Sequence, residues 1–127
     1  EAYGLSSPVK TYSPMFYIDV LASKGSEIKT PNQEQETAIF TICGKVTING
    51  ETFGPNEFIL LGLSDSQIIL AEDGRFIMLG GDKFEHVPFI HWNFVSFSKE
   101  RIEQAKDDWK NRRFHSIPGD DKEFISL

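Results

Sequence analysis

The dipeptide Asn49-Gly50 stands between KVTI and ETFG, and few arrangements accommodate such a junction. Two residues tolerant of positive φ between β-rich runs fit a type I′ turn, whose twist matches the flanking strands, so a tight hairpin is predicted here. Similar punctuation recurs along the chain. FYIDVLA (16–22) is rich in aromatic and branched residues and is broken by SKG (23–25); AIFTICGKVTI (38–48) follows the polar TPNQEQET, in which Pro31 and Asn32 mark a loop. EFILLG (57–62), QIILA (67–71), RFIMLGG (75–81) and PFIHWNFVSF (88–97) follow, with Glu72-Asp73-Gly74 joining the second and third of these. Short strands at spacings of roughly 8 to 12 residues predict an antiparallel sandwich or barrel.

The period changes at Ser98, a good N-cap residue, with Glu100 in the first turn where a carboxylate meets the positive end of the helix dipole. Ile102, Ala105 and Trp109 recur at spacings of three and four, which predicts one narrow apolar stripe on a helix. Glu103 with Lys106, Asp107 with Lys110 and Asp108 with Arg112 are spaced to pair along its solvent side. The Lys110, Arg112, Arg113 cluster is a lesser candidate for docking an acidic partner. In the preceding strand Ile90, Trp92, Phe94 and Ser96 alternate with His91, Asn93, Val95 and Phe97, so both faces carry apolar bulk. One face is expected to fill the barrel and the other to receive the helix stripe. Trp92 and Trp109 are read as packing residues, and Asn93 as bonded to backbone at the barrel rim.

The 127 residues, 39 % of them hydrophobic, suit one compact domain. The first residue is Glu1, and a loop-like EAYGLSSPVKTYSP opens the chain, so a piece of a longer protein is expected. Thirteen Lys and Arg against 19 Asp and Glu, a formal charge of −6, argue against broad phosphate-backbone binding and so against direct contact with nucleic acid. No run of 18 apolar residues and no charged-then-apolar leader occur, so no membrane association is expected. Cytoplasmic residence is the expectation, extended to the nucleus in a eukaryote. The lone Cys43 reads as a buried, inert thiol.

Catalytic constellations are lacking. There is no G-x-S-x-G elbow, no phosphate-cradling G-x-x-x-x-G-K-[ST] and no paired-Cys zinc pattern. Gly80-Gly81 reads as strand-ending turn geometry, and Asp120-Asp121 as a solvated turn. His86 and His91 lie an odd number of residues apart, on opposite faces of any continuous strand, and His115 lies beyond the helix. No residue is assigned a catalytic or metal-ligating role.

The stretch WNFVSFSKERIEQAKDDW, followed by RRFHSIPGDDKEFISL, resembles the terminal signature of pirins, a W-N-F-V-S strand leading into an E-R-I-x-Q-A-x-x-D-W helix and a P-G-D-x-x-E-F-I tail. Trp92, Asn93, Phe94, Ser96, Ser98, Arg101, Ile102, Ala105 and Trp109 carry it. SPVKTYSPMFYIDV is similar to the inter-domain linker and first strand of the pirin C-terminal domain, and GRFIMLGGDKF to a strand ending in a glycine pair.

Pirins are bicupins. The resemblance therefore implies an all-β fold: a cupin-type antiparallel β-barrel (jelly roll, or double-stranded β-helix) with a C-terminal α-helix. Residues 1–14 would be linker or N-terminal extension, 15–97 the barrel, and 98–127 the helix and tail.

In the family, iron sits in the N-terminal cupin on three His and one Glu, in an H-x-H-x-x-x-E pattern with a glycine eight residues beyond. Glu36 and Gly44 keep that last spacing, which puts Thr30 and Asn32 where the paired histidines would stand, and Leu60 or Leu61 near the third. The three positions Thr30, Asn32 and Glu36 thus read as a vestigial site. No cofactor is expected in this chain, and iron is expected only in the N-terminal cupin of a full-length pirin.

The resemblance leaves three roles open. The chain could be the structural and interaction half of a regulatory protein, a transcriptional cofactor or a binder of metabolic enzymes, with its own N-terminal cupin and a further protein as partners. It could be part of a quercetin 2,3-dioxygenase-like enzyme whose chemistry lies in that other domain. Or it could be a stand-alone small-ligand binder with a cavity lined by Phe40, Ile42, Phe53 and Phe58.

Overall fold

A computed structural model describes residues 2–62, 67–120 and 122–125. The chain divides into two compact units, 1–83 and 84–127. The first holds β1 (Met15–Ala22), β2 (Glu27–Lys29), β3 (Glu36–Cys43), β4 (Val46–Ile48), β5 (Glu51–Phe53), β6 (Phe58–Leu61), β7 (Gln67–Leu70) and β8 (Gly74–Gly81). These form two antiparallel sheets, ordered β1-β8-β3-β6 and β2-β7-β4-β5.

The core is shared between the sheets, as the period-2 alternation of side chains requires. Phe16, Ile39, Phe76 and Met78 come from the first, and Val46, Ile48, Ile68 and Leu70 from the second. Phe76, Ile39, Ile68 and Met78 are wholly buried. The predicted antiparallel barrel of cupin type is the fold observed.

The Asn49-Gly50 hairpin is present: φ is +50° and +82° at the two positions, and Ile48 faces Glu51 across it. Elsewhere the strands are shorter and more numerous than the sequence suggested. The expected strand over 38–48 is two, broken at Gly44, where φ is +76°. β3 belongs to one sheet and β4 to the other, and a Cβ at Gly44 would run into the Asp73 carbonyl oxygen, so only glycine serves at this corner. β2 was not anticipated, because three residues of EIK carry too little pattern to stand out.

Gly80 and Gly81 also differ from expectation. They lie inside β8 and do not end it. A Cβ at Gly80 would approach the Phe16 ring to 2.6 Å, so this glycine serves close packing in place of a turn.

The second unit contains β9 (Phe89–His91), β10 (Phe94–Ser96) and α1 (Lys99–Lys110). The expected single strand over 88–97 is a hairpin, in which Phe94 pairs with His91 and Ser96 with Phe89. Trp92 and Asn93 form its turn, Trp92 with φ of +52°. Asn93 is therefore an exposed residue of this hairpin's turn.

The helix begins as predicted: the Ser98 hydroxyl accepts from the Arg101 amide at 3.2 Å. The same Ser98 hydroxyl donates to Glu100, and with the Glu100 backbone amide it holds that carboxyl below its usual range.

The stripe packs on the hairpin. Ile102 is buried, and the Trp109 ring lies 4.9 Å from Trp92 and 6.3 Å from Phe94 between centroids. Phe94 stacks on Phe114 at 5.7 Å and Trp109 on Phe124 at 5.1 Å, while the Trp109 indole N–H donates to the Ile125 carbonyl at 2.7 Å.

Of the expected charge pairs, Glu103 with Lys106 forms at 2.9 Å. Asp107 and Asp108 both bind Arg113 instead, at 2.7 and 3.0 Å, and raise its pKa. The helix is capped at Asn111 and Arg112 adopts φ of +53°, which takes Arg112 out of helical register and lays its guanidinium over Phe124, 4.6 Å from the centroid. Two of the three cations in the Lys110, Arg112, Arg113 cluster are thus engaged within the unit.

Candidate binding cleft and outer sheet face

Two features of the barrel unit are candidates for function. The first is a cleft of about 370 Å³, lined mostly by residues with polar side chains, where the β2–β3 loop passes the ends of β6 and β8. Thr30, Asn32 and Glu36 all line it. Leu61 lines it too, whereas Leu60 is exposed on the opposite face of β6.

The loop is held by its own polar groups. The Asn32 side-chain oxygen accepts from the Glu34 amide at 2.9 Å, an Asx turn that occupies this carboxamide structurally. Gln35 donates to Asp82 at 2.7 Å, tying the loop to the end of β8, and the Thr37 hydroxyl donates to the Gln35 carbonyl at 3.3 Å.

Glu36 stands out of phase with the core. Thr37, Ile39 and Thr41 share the core-facing side of β3, and Ala38, although buried, lies on the other side with Phe40, so the side chain of Glu36, one residue before Thr37, belongs to that outer set. The cleft's donors are hydroxyls, carboxamides, carboxylates and the Lys83 ammonium. None is an imidazole, and all three histidines lie in the other unit. Such a set does not fit a cupin iron centre of imidazole nitrogens and carboxylate. Among the described residues, no group of three or more His, Cys, Asp or Glu is placed to hold a metal.

The second feature is the outer face of the β1-β8-β3-β6 sheet. Register places Tyr17, Leu79, Ala38 and Leu60 in one row across the four strands, and Asp19, Ile77, Phe40 and Phe58 in the next. Tyr17, Phe58 and Leu60 are 72 %, 59 % and 76 % exposed. Asp19 bonds to Arg75, whose Nε donates to Oδ1 at 2.8 Å; that hydrogen bond and the guanidinium charge lower the Asp19 pKa.

The proposed cavity lining is corrected by this register. Phe40 and Phe58 share the outer face, Ile42 lies at the register shift between Thr41 and Cys43 and is exposed, and of the four Phe53 packs against the core. Cys43 is likewise exposed, at the end of β3, and not buried.

The P-G-D turn is present, with Gly119 at φ of +83° and Asp120 bonded back to Ile117; Asp121 lies outside the described residues. At the other end of the chain, the hydroxyl of Tyr3 bonds to the Lys29 carbonyl, and partial burial raises its pKa. No helix among the described residues is long and apolar enough to cross a membrane.

Residues 17–115 match the Pirin C-terminal cupin domain family. The chain belongs to that family. A pirin-like protein of Caulobacter vibrioides is 35 % identical over 127 residues, all of this chain and 44 % of the relative. Human pirin is 29 % identical over 89 % of this chain and 42 % of its own length. A protein provisionally named quercetin 2,3-dioxygenase in Pseudomonas aeruginosa is 31 % identical over 84 % of this chain and 35 % of that protein.

Among solved structures, a quercetin 2,3-dioxygenase of Acinetobacter baumannii superposes on the whole chain and on 44 % of its own, with a TM-score of 0.80 at 26 % identity. The chain spans less than half the length of the pirins it matches.

Lys83, Gln33 and Gln35 of the cleft were not singled out in the sequence. Only the pairing of distant segments reveals them. The outer face did carry a signal: FILL and AIFTI are apolar at consecutive positions, the mark of a strand expected to be covered on both sides.

Proposed function

We propose that this chain is the supporting half of a pirin-like protein, a metal-free cupin whose outer sheet face receives the N-terminal cupin of the same protein. The observation that carries the reading is the exposure of Tyr17, Phe58 and Leu60 on one continuous apolar face. Contiguous apolar surface of this kind marks an interaction site. The intact protein is read as regulatory, as the resemblance to pirins implies, acting through contacts with other proteins while iron resides in its other domain.

The test is to supply the N-terminal cupin of the Caulobacter relative, tethered ahead of residue 1, and to follow hydrogen exchange. Slowed exchange along β1, β6 and β8, lost in Leu60→Asp, supports the reading. Protection elsewhere with this face still open overturns it.

A second reading is favoured by the name and fold of the Acinetobacter protein: a half of a quercetin 2,3-dioxygenase-like enzyme with its chemistry in the other domain. On either reading the chain alone, incubated with ferrous iron and quercetin, consumes no oxygen. Stoichiometric, chelator-sensitive turnover by the chain alone would overturn both.

The stand-alone binder is the less favoured reading, since Phe40 and Phe58 of its expected lining lie on the outer sheet face.

A further inference from the structure

The cleft on the barrel unit has a feature that its structural hydrogen bonds do not use. Glu34, Glu36 and Lys83 all line it, yet no ion pair among the described residues involves any of the three. Charges of both signs therefore face one concavity without touching. Elsewhere on this chain, oppositely charged neighbours do meet: Lys45 with Glu72 at 2.7 Å and Lys106 with Glu103 at 2.9 Å.

The walls are also fixed in advance by the Asx turn at Asn32 and the link from Gln35 to Asp82, so ordering the site on binding costs little. At about 370 Å³ the cleft falls within the range of small-molecule sites, roughly 300–1,000 Å³.

We infer that this cleft binds a small zwitterion, a free amino acid or a dipeptide, with its ammonium on Glu34 and Glu36 and its carboxylate on Lys83. Separated fixed charges of opposite sign select a dipolar ligand, because each end gains a charge-assisted hydrogen bond, the two carboxylates sharing the one ammonium. The carboxamide of Gln33 and the hydroxyl of Thr30 supply neutral donors and acceptors between the two ends. Among the described residues no aromatic ring lines the cleft, so they offer a flat polyphenol no stacking platform, which separates this site from any flavonol chemistry of the family. The charged groups are near water, so the affinity is modest and falls with salt.

Amide NMR titration of the chain with glycyl-L-glutamine and, separately, with L-glutamine tests the inference and tells the two sources apart. Shifts are expected in 30–37, 61–62 and 83, with dissociation constants on the order of millimolar. Lys83→Met and Glu36→Gln should each weaken binding about ten-fold, while Lys24→Met, remote from the cleft, leaves it unchanged. N-acetyl-glycyl-glutamine amide, which lacks both charges, should produce no shift at these residues. An absence of shifts with both probes up to roughly 50 mM would overturn the inference. Equal binding of the blocked peptide or of mannitol would overturn it as well, since the charges would then select nothing.

Discussion

The barrel and the terminal unit solve the same problem with different materials. In the barrel, strands from two sheets contribute aliphatic and aromatic side chains to one interior, and Ile39, Ile68, Phe76 and Met78 lose all contact with water. In the terminal unit, one hairpin and one helix cannot enclose an interior. Among the described residues Ile102 is the buried hydrophobic residue of the unit, and beside it stands an aromatic cluster in which Trp92, Phe94, Trp109, Phe114 and Phe124 touch ring to ring while remaining partly exposed. Large rings suit this task because each buries much area with little entropy loss and gains from edge-to-face contact. The signature that makes the chain recognisable thus belongs to its less enclosed part.

Truncating a core residue should cost far more than truncating a ring of the cluster. Phe76→Ala is expected to lower the unfolding free energy by about 3–5 kcal/mol, read from a denaturant midpoint. Gly80→Ala attacks the same core by overfilling, since its Cβ would meet the Phe16 ring, and about 1–3 kcal/mol is expected.

Trp109→Ala removes four ring contacts and the bond to the Ile125 carbonyl, but from a half-buried position, so ~2 kcal/mol is expected. A loss as large as that of Phe76→Ala would erase the distinction between the regions. An unchanged midpoint would show that the cluster does not contribute.

Ser98→Ala removes the cap of α1 and should cost about 1 kcal/mol, seen as loss of helical circular dichroism before the barrel unfolds.

The smallest effect expected is electrostatic. Asp19 in the folded chain titrates below its unfolded value because Arg75 hydrogen-bonds its carboxylate. The stabilisation is therefore present above the unfolded carboxylate range and is lost as the pH falls through the lower folded value. Both side chains are exposed, so salt should weaken it. Asp19→Asn should flatten the acid side of the stability profile slightly, and an unchanged profile would show that the pair contributes nothing.

The local devices were legible in the residues themselves. Asn49-Gly50 makes its turn and Ser98 caps its helix, because each depends on a few neighbouring backbone atoms and on conformational preferences that tertiary context does not reverse. The alternation of apolar residues was legible as β structure for the same reason. Glycines misled where their role was long-range: Gly80 makes room for Phe16, 64 positions away in the chain, and nothing in RFIMLGG announces that neighbour. The strand over 88–97 misled because an apolar run of ten suits one strand or two, and the turn at Trp92-Asn93 uses residues without the usual glycine.

What the chain's order alone determined was the type of its elements, the cap, the tightest turn and membership of a family. Tertiary structure decided which face of each strand is inside. On β3 a shift of one residue exchanges Glu36, Ala38 and Phe40 for Thr37, Ile39 and Thr41, and both sets contain apolar side chains, so the pattern is degenerate until β8 and β6 pair with it. That pairing put Phe40 and Phe58 on an outer face and gathered Thr30, Glu36 and Lys83 around one cleft. Register is a property of two strands together, and no single segment carries it.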